Sequence, residues 1–157
     1  MFGILKKEKT LAAPVSGEII GIDKVPDQVF SQKILGEGFA VIPDNGSIVS
    51  PANGTVTEVS ETLHAYCITS DDGLEILVHI GIDTVELKGS GFTAQVHRGD
   101  KVNVGTPLAT ADLKKISESG YKTVTVVVIT NSDHLKSFSV SEQKNAAAGA
   151  PVFIYKL

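Results

Sequence analysis

Apolar residues recur along this chain at every second position rather than every third or fourth. Short runs such as "GEIIGI", "GTVTEV", "EILVHIGI", "KTVTVVVIT" and "PVFIYKL" are separated at close intervals by Gly, Pro, Asn and Asp. A period of two with frequent turn residues predicts strands, so the chain reads as all-β: an antiparallel β-sandwich or flattened barrel with short helical turns. Only "ADLKKISESG" has the marks of a helical turn, with Asp112 as N-cap and Gly120 as C-cap, and "SDHLKSF" is a second, weaker case. "APVSGEIIGI" and "SPANGTVTEV" echo one another, Pro14 and Gly17 matching Pro51 and Gly54, as two ordinary turn-then-strand units or a duplicated β-layer would do.

One pair of strands carries chemistry. Residues 64–70 and 74–80 are rich in aliphatic and β-branched side chains, and Asp72-Gly73 between them is a favoured two-residue hairpin turn. That turn makes facing positions sum to 145, placing Tyr66 opposite His79 and Cys67 opposite Val78. His64 and His79 become diagonal neighbours, with Cα atoms roughly 7–8 Å apart. Leu74, Ile76, Val78 and Ile80 with Ala65 and Cys67 then form the core face. A slip of one residue would put the two histidines on opposite faces.

Composition narrows what the pair does. A chain of 157 residues, 42% hydrophobic, can bury one substantial core, and no apolar run approaches membrane-spanning length. Residues 11–157 are therefore expected to form one domain behind a flexible leader of residues 1–10. A net charge of −4, with no cluster of Lys and Arg interleaved with aromatics, argues against nucleic acid as a partner. One cysteine forms no internal disulfide, and "MFGILKKEKT" is too short in apolar residues for a secretory signal, so the expected compartment is the cytoplasm.

Two adjacent imidazoles resist being charged together, which keeps at least one neutral near pH 7. The nitrogen left unprotonated is the nucleophile, and which one it is depends on what the other donates to. Such a pair suits phosphoryl transfer, one ring attacking phosphorus while the other donates to the phosphoryl oxygens. It also suits a metal. A zinc peptidase would use His79 and Asp83 as H-x₃-D, but the downstream H-x-H is missing, with only His97 and His134 remaining. "GDKVNVGTPLATADL" has the rhythm of biotinyl and lipoyl domains, yet the single methionine is Met1, far from any Met-Lys hairpin tip. No G-x₄-G-K-[ST] loop occurs, so neither nucleotide nor magnesium is implied, and no cofactor is expected. His97 and His134 have polar neighbours and are expected at the surface, and Cys67 is expected in the core as an inert thiol.

"LAAPVSGEIIGIDKVPDQVFSQKILGEGFAVIP", "ETLHAY", "LEILVHIGIDTVELKGSGF" and "GDKVNVGTPLATADL" together resemble the glucose-class Enzyme IIA of the bacterial phosphoenolpyruvate-dependent sugar phosphotransferase system, from about Leu11 to the C-terminus. The resemblance implies a β-sandwich phosphocarrier that accepts a phosphoryl group from the histidine-containing phosphocarrier protein and passes it to the IIB cysteine of a glucose-type permease. By position, His79 resembles the phosphorylated histidine, acting through Nε2, and His64 its phosphoryl-stabilising partner. Thr62 would orient His64, and the Gly81 carbonyl would orient His79. Asp27 and Asp83 resemble acidic residues that meet a donor arginine. Val29, Phe30, Ile34, Leu35, Leu77 and Val85 match an apolar ring on which partners dock. Leu77 and Gln28 stand where the enteric pattern has Phe and Val. The family further implies regulatory partners in some bacteria, such as permeases, kinases or cyclase, sometimes with zinc bridging His64, His79 and a partner carboxylate.

Overall fold

The computed structural model describes residues 8–157. Thirteen strands are assigned among them, linked by short turns: β1 (Lys9–Ala12), β2 (Gly17–Gly21), β3 (Glu37–Pro43), β4 (Ser47–Val49), β5 (Gly54–Val59), β6 (Ala65–Ser70), β7 (Glu75–Ile80), β8 (Phe92–Ala94), β9 (Lys101–Val102), β10 (Pro107–Ala111), β11 (Thr125–Ile129), β12 (Ser137–Val140) and β13 (Pro151–Lys156). The largest sheet has seven strands in the order β2-β3-β11-β7-β6-β5-β9, all paired antiparallel. Two three-stranded sheets, β1-β13-β12 and β4-β10-β8, complete the set. The large sheet ends in two edges, β2 and β9, so the architecture is a sandwich and not a closed barrel.

The period of two decides which side chains meet. On the inner face Ile19, Phe39, Val41, Val127, Ile129, Val78 and Ile68 bury against Leu11, Phe153 and Tyr155 of one small sheet and Ile48, Leu108 and Phe92 of the other. The central strand β11 is different, because all five residues of "TVVVI" are buried. Val127 and Ile129 face the main core, while Val126 and Val128 face a second cluster on the outer side, with Ala40, Ile22, Val25, Phe30, Ile82 and Val124. A strand buried on both faces cannot alternate with polar residues, which accounts for its unbroken aliphatic run.

The outer cluster is roofed by the connection between β2 and β3. A 3₁₀ turn at Ile22–Lys24 and a single helical turn, α1 (Gln28–Ser31), lie there. Alternation gives no sign of either. Asp27 caps α1, its side chain accepting a hydrogen bond from the Val29 N–H at 2.9 Å. Phe30, on the inner side of α1, is buried, which is worth about 1.5–3 kcal/mol for a side chain of that size. The expected helical turn is α2 (Leu113–Glu118), capped by Asp112 onto the Lys115 N–H, with Ser119 as C-cap and Gly120 one residue beyond. The weaker one, in "SDHLKSF", is a 3₁₀ turn at Ser132–His134. Gly17 and Gly54, the echoed glycines, each open a strand of the large sheet.

Two expectations need correction here. Lys9 and Thr10, assigned to the leader, pair in β1 with Tyr155 and Ile154, and residues 1–7 of that leader lie outside the described residues. The hairpin register also differs by one from that expected: Ala65 faces His79, Tyr66 faces Val78 and Cys67 faces Leu77. Its loop has three residues, not two. The Gly73 N–H donates to the Ser70 carbonyl at 2.9 Å, with Gly73 at φ +95°, and the Leu74 N–H donates to Ser70 Oγ at 2.9 Å. Ser70 Oγ in turn donates to Asp72 Oδ1 at 2.5 Å. A type I turn closed by a left-handed Gly is the usual three-residue solution, and serine at the turn's first position supplies the extra bond. Tyr66 and Ile68 therefore join the core with Leu74, Ile76, Val78 and Ile80, while Ala65 and Cys67 sit half-buried on the outer face.

Candidate active site

His79 lies near the end of β7 on the outer face of the large sheet, flanked across the ladder by Ala65 and Val126. In the corrected register strict alternation would turn His64 toward the core. His64, however, precedes the first residue of β6 and follows Leu63, whose φ of +61° is left-handed, so the pleat no longer dictates its direction. The two rings meet edge to face with centroids 4.8 Å apart. The sequence reading thus paired the right residues through the wrong register.

Each ring is held through its Nδ1. His79 Nδ1 lies 2.8 Å from the Gly81 carbonyl oxygen. A carbonyl only accepts, so Nδ1 carries the proton and Nε2 is left with its lone pair. His64 Nδ1 lies 2.7 Å from Thr62 Oγ1 and 3.4 Å from Ser60 Oγ. Where the Thr62 hydroxyl donates, His64 Nε2 bears the hydrogen and becomes a donor. Ser60 also accepts from the Ala65 N–H at 3.1 Å, bracing the turn that presents His64. Sequence reasoning missed Ser60, and its only signal was its place four residues before a histidine.

Both imidazoles are biased toward the neutral form. Burial, with His79 beside it, pushes the His64 pKa down to about 4. Burial also lowers that of His79, partly countered by the bond to the Gly81 carbonyl and by the Asp27 and Asp83 carboxylates. Phe30 contributes to that burial, its ring centroid 5.1 Å from that of His79. The site is thus a neutral pair with one free nucleophilic nitrogen, walled on one side by an aromatic ring.

The surrounding residues divide into two groups. Val29, Ile34, Leu35 and Val85, expected in the apolar ring, are large apolar side chains left exposed, Ile34 at 65% of its surface. Phe30 and Leu77 were expected in the same ring. Phe30 is instead buried, and Leu77 is half-buried against the outer cluster, so these two shape the site from beneath. Asp83 is exposed, whereas Asp27 is half-buried with one oxygen committed to capping α1. His97 and His134 are exposed and remote from the pair in sequence. Cys67, expected in the core, is half-buried, and burial raises its thiol pKa.

Two imidazoles supply at most two of the four ligands that zinc takes. Among the described residues no group of three or more His, Cys, Asp and Glu is placed to hold a metal ion. A regulatory zinc at His64 and His79 fits this chain only as half a site, completed by a partner's side chains. No helix of the described residues is long and apolar enough to cross a membrane.

Residues 9–135 match the family model described as phosphoenolpyruvate-dependent sugar phosphotransferase system, EIIA 1. The glucose-specific EIIA component of Oceanobacillus iheyensis is 44% identical over 143 residues, covering 91% of this chain and 87% of that protein. The glucose-specific EIICBA component of Streptococcus pneumoniae is 48% identical over 136 residues, 87% of this chain but 19% of that much longer protein. Among solved structures, the glucose permease IIA of Mycoplasma capricolum superposes with a TM-score of 0.86 at 34% identity, over 95% of this chain and 96% of that one.

Proposed function

This chain belongs to the EIIA 1 family of the phosphoenolpyruvate-dependent sugar phosphotransferase system and is a phosphocarrier of sugar uptake, and on that premise we propose that His79 Nε2 is the atom that carries the phosphoryl group. The observation that carries the reading is the 2.8 Å contact between His79 Nδ1 and the Gly81 carbonyl, which leaves Nε2 unprotonated beside a second neutral imidazole. The donor is the histidine-containing phosphocarrier protein, and the acceptor is the cysteine of a permease IIB domain. Support for the acceptor comes from the EIICBA relative and from the β-glucoside-specific EIIBCA component of Bacillus subtilis, 47% identical over 130 residues, whose names place an A unit with B and C units in one chain.

The transfer runs in line. The Nε2 lone pair of His79 forms a bond to phosphorus as the phosphorus–nitrogen bond of the donor breaks, and the donor imidazole leaves with that electron pair. One phosphorus–nitrogen bond replaces another, so the driving force is small and the catalytic task is positioning and charge stabilisation. His64, with Thr62 donating to its Nδ1, turns Nε2–H toward the phosphoryl oxygens. Phe30 and the apolar rim limit the access of water to a labile phosphohistidine. Asp27 and Asp83 present negative charge to a basic donor surface. The carrier meets both partners from the cytoplasm.

The test is incubation with phosphoenolpyruvate, Enzyme I and the phosphocarrier protein, followed by intact mass. The expected result is one phosphoryl group per chain, labile in acid and stable in base, because protonated imidazole is the better leaving group. No uptake, or an acid-stable adduct, refutes the proposal.

A further inference from the structure

We propose that Thr84 is a positioning residue that fixes the tautomer of His79 by holding the peptide chain from which the Gly81 carbonyl projects; this rests on the reading of His79 as the phosphoryl acceptor. Thr84 makes no hydrogen bond to either imidazole. Its hydroxyl donates to the Ile80 carbonyl at 2.5 Å, and the residue is wholly buried, 0% exposed.

The free lone pair on His79 depends on where the Gly81 carbonyl points, and that carbonyl belongs to a residue at φ +79°. A glycine adopts either sign of φ at little cost, so its conformation must be imposed from outside. Two of the restraints are backbone bonds that any side chains would permit: the Gly81 N–H to the Val124 carbonyl at 3.0 Å, and the Ile82 N–H to the Lys122 carbonyl at 3.1 Å. The Thr84 hydroxyl adds a side-chain restraint on the peptide plane that joins Ile80 to Gly81. Its methyl keeps the position glycine, since a Cβ on residue 81 would lie 2.5 Å from Thr84 Cγ2. Thr84 itself is delivered by Asp83, at a left-handed φ of +59°, which turns the chain back under the glycine at the start of the Thr84–Leu87 turn.

Without the hydroxyl, the Ile80–Gly81 peptide can tilt, turning Gly81 Cα and with it the following Gly81–Ile82 peptide, so that the Gly81 carbonyl leaves Nδ1. The imidazole proton is then free to move to Nε2, and in that tautomer the atom proposed to attack phosphorus has no lone pair. The rate of phosphoryl uptake falls with the population of the Nδ1–H tautomer. A loss on the order of 10- to 100-fold is expected, as is typical for groups that orient a functional imidazole without touching the reacting atom.

The experiment uses the full chain with ¹⁵N-labelled histidine, unphosphorylated and above the titration range of both rings, as wild type, Thr84→Val and Thr84→Ser. Expected are a single Nδ1–H tautomer for His79 in the wild type and in Thr84→Ser, and a population protonated at Nε2 in Thr84→Val. Single-turnover uptake should fall in parallel in Thr84→Val alone. A folded Thr84→Val that keeps both tautomer and rate overturns the proposal, as does a Thr84→Ser that behaves like Val, because the hydroxyl would then not be the agent. If Thr84→Val does not fold, the wild type decides: a slowly exchanging Thr84 hydroxyl proton together with a slowly exchanging His79 Nδ1–H supports the proposal, and absence of either overturns it. The tautomer is read without any phosphoryl donor, so its outcome is separate from that of the proposed function, which fails if the wild type takes up no phosphoryl group or only an acid-stable one.

Discussion

Acidification should destabilise this protein through the buried pair, and His64 sets the size of the effect. In the unfolded chain an imidazole takes up a proton near pH 6.5, whereas in the fold His64 resists protonation down to about pH 4. Between those values the unfolded state binds one more proton than the native state, so stability falls as pH falls. Above pH 6.5 both states are neutral and the term vanishes; below about pH 4 both are protonated and the loss is complete. Each pH unit across that window is worth up to about 1.36 kcal/mol, giving roughly 3 kcal/mol in full. Solvent reaching the ring edge reduces that toward about 2 kcal/mol. His79, also lowered, adds in the same direction. The assay is urea unfolding at half-unit intervals from pH 7.5 to 4 for the wild type and His64→Gln. The difference reports His64 together with its coupling to His79, because every other titrating group is common to both. The wild type should lose about 2–3 kcal/mol relative to the variant across the window. A difference independent of pH would refute a buried neutral His64, and with it the electrostatic account of the pair.

The two histidines should separate in kinetics: His79→Ala takes up no phosphoryl group, while His64→Gln is phosphorylated but passes the group on about 10²–10³ times more slowly, read by single-turnover labelling and chase. Uptake by His79→Ala alone would invert the roles. Replacing Asp27 and Asp83 together by Asn should slow encounter with the donor and flatten the dependence of the rate on ionic strength, and an unchanged salt profile counts against that docking face. Phosphorylation of His79 should raise the pKa of His64, since a dianion beside an imidazole favours its charged form, and an NMR titration of the two states checks the direction. Tyr66→Phe should cost almost nothing in denaturant unfolding, because the Tyr66 hydroxyl is buried without a hydrogen-bond partner among the described residues; a loss of more than about 1 kcal/mol would mean that the hydroxyl is bonded.

Several features of the site were open to reading because they are local. Alternation located β7, an unbroken aliphatic run located β11, and the two histidines lie fifteen positions apart across one turn, although they meet only because His64 precedes β6 and escapes its pleat. The motif "VHIGIDTVELKGSGF" carried the family. The register itself was misread because Asp72-Gly73 satisfies two turn types equally well; only Ser70 Oγ, bonded to both the Leu74 N–H and Asp72, selects the longer loop. Phe30 looked like a docking residue since nothing in its neighbourhood reveals that α1 folds inward over the sheet.

What the sequence by itself determined is whatever depends on near neighbours: the period of two, the caps of α1 and α2 once their turns form, the left-handed glycines, and the presence of two imidazoles able to share a site. Only the tertiary structure decided their states. The lowered pKa of each histidine comes from its being enclosed by β11, the 22–35 connection and the other histidine, and the protonated nitrogen of His79 is set by the Gly81 carbonyl, in a segment whose N–H groups bond the Val124 and Lys122 carbonyls of a distant stretch of chain. Desolvation and hydrogen-bond geometry are properties of a surrounding, and the part of that surrounding contributed by distant segments has no signature in any short stretch of chain.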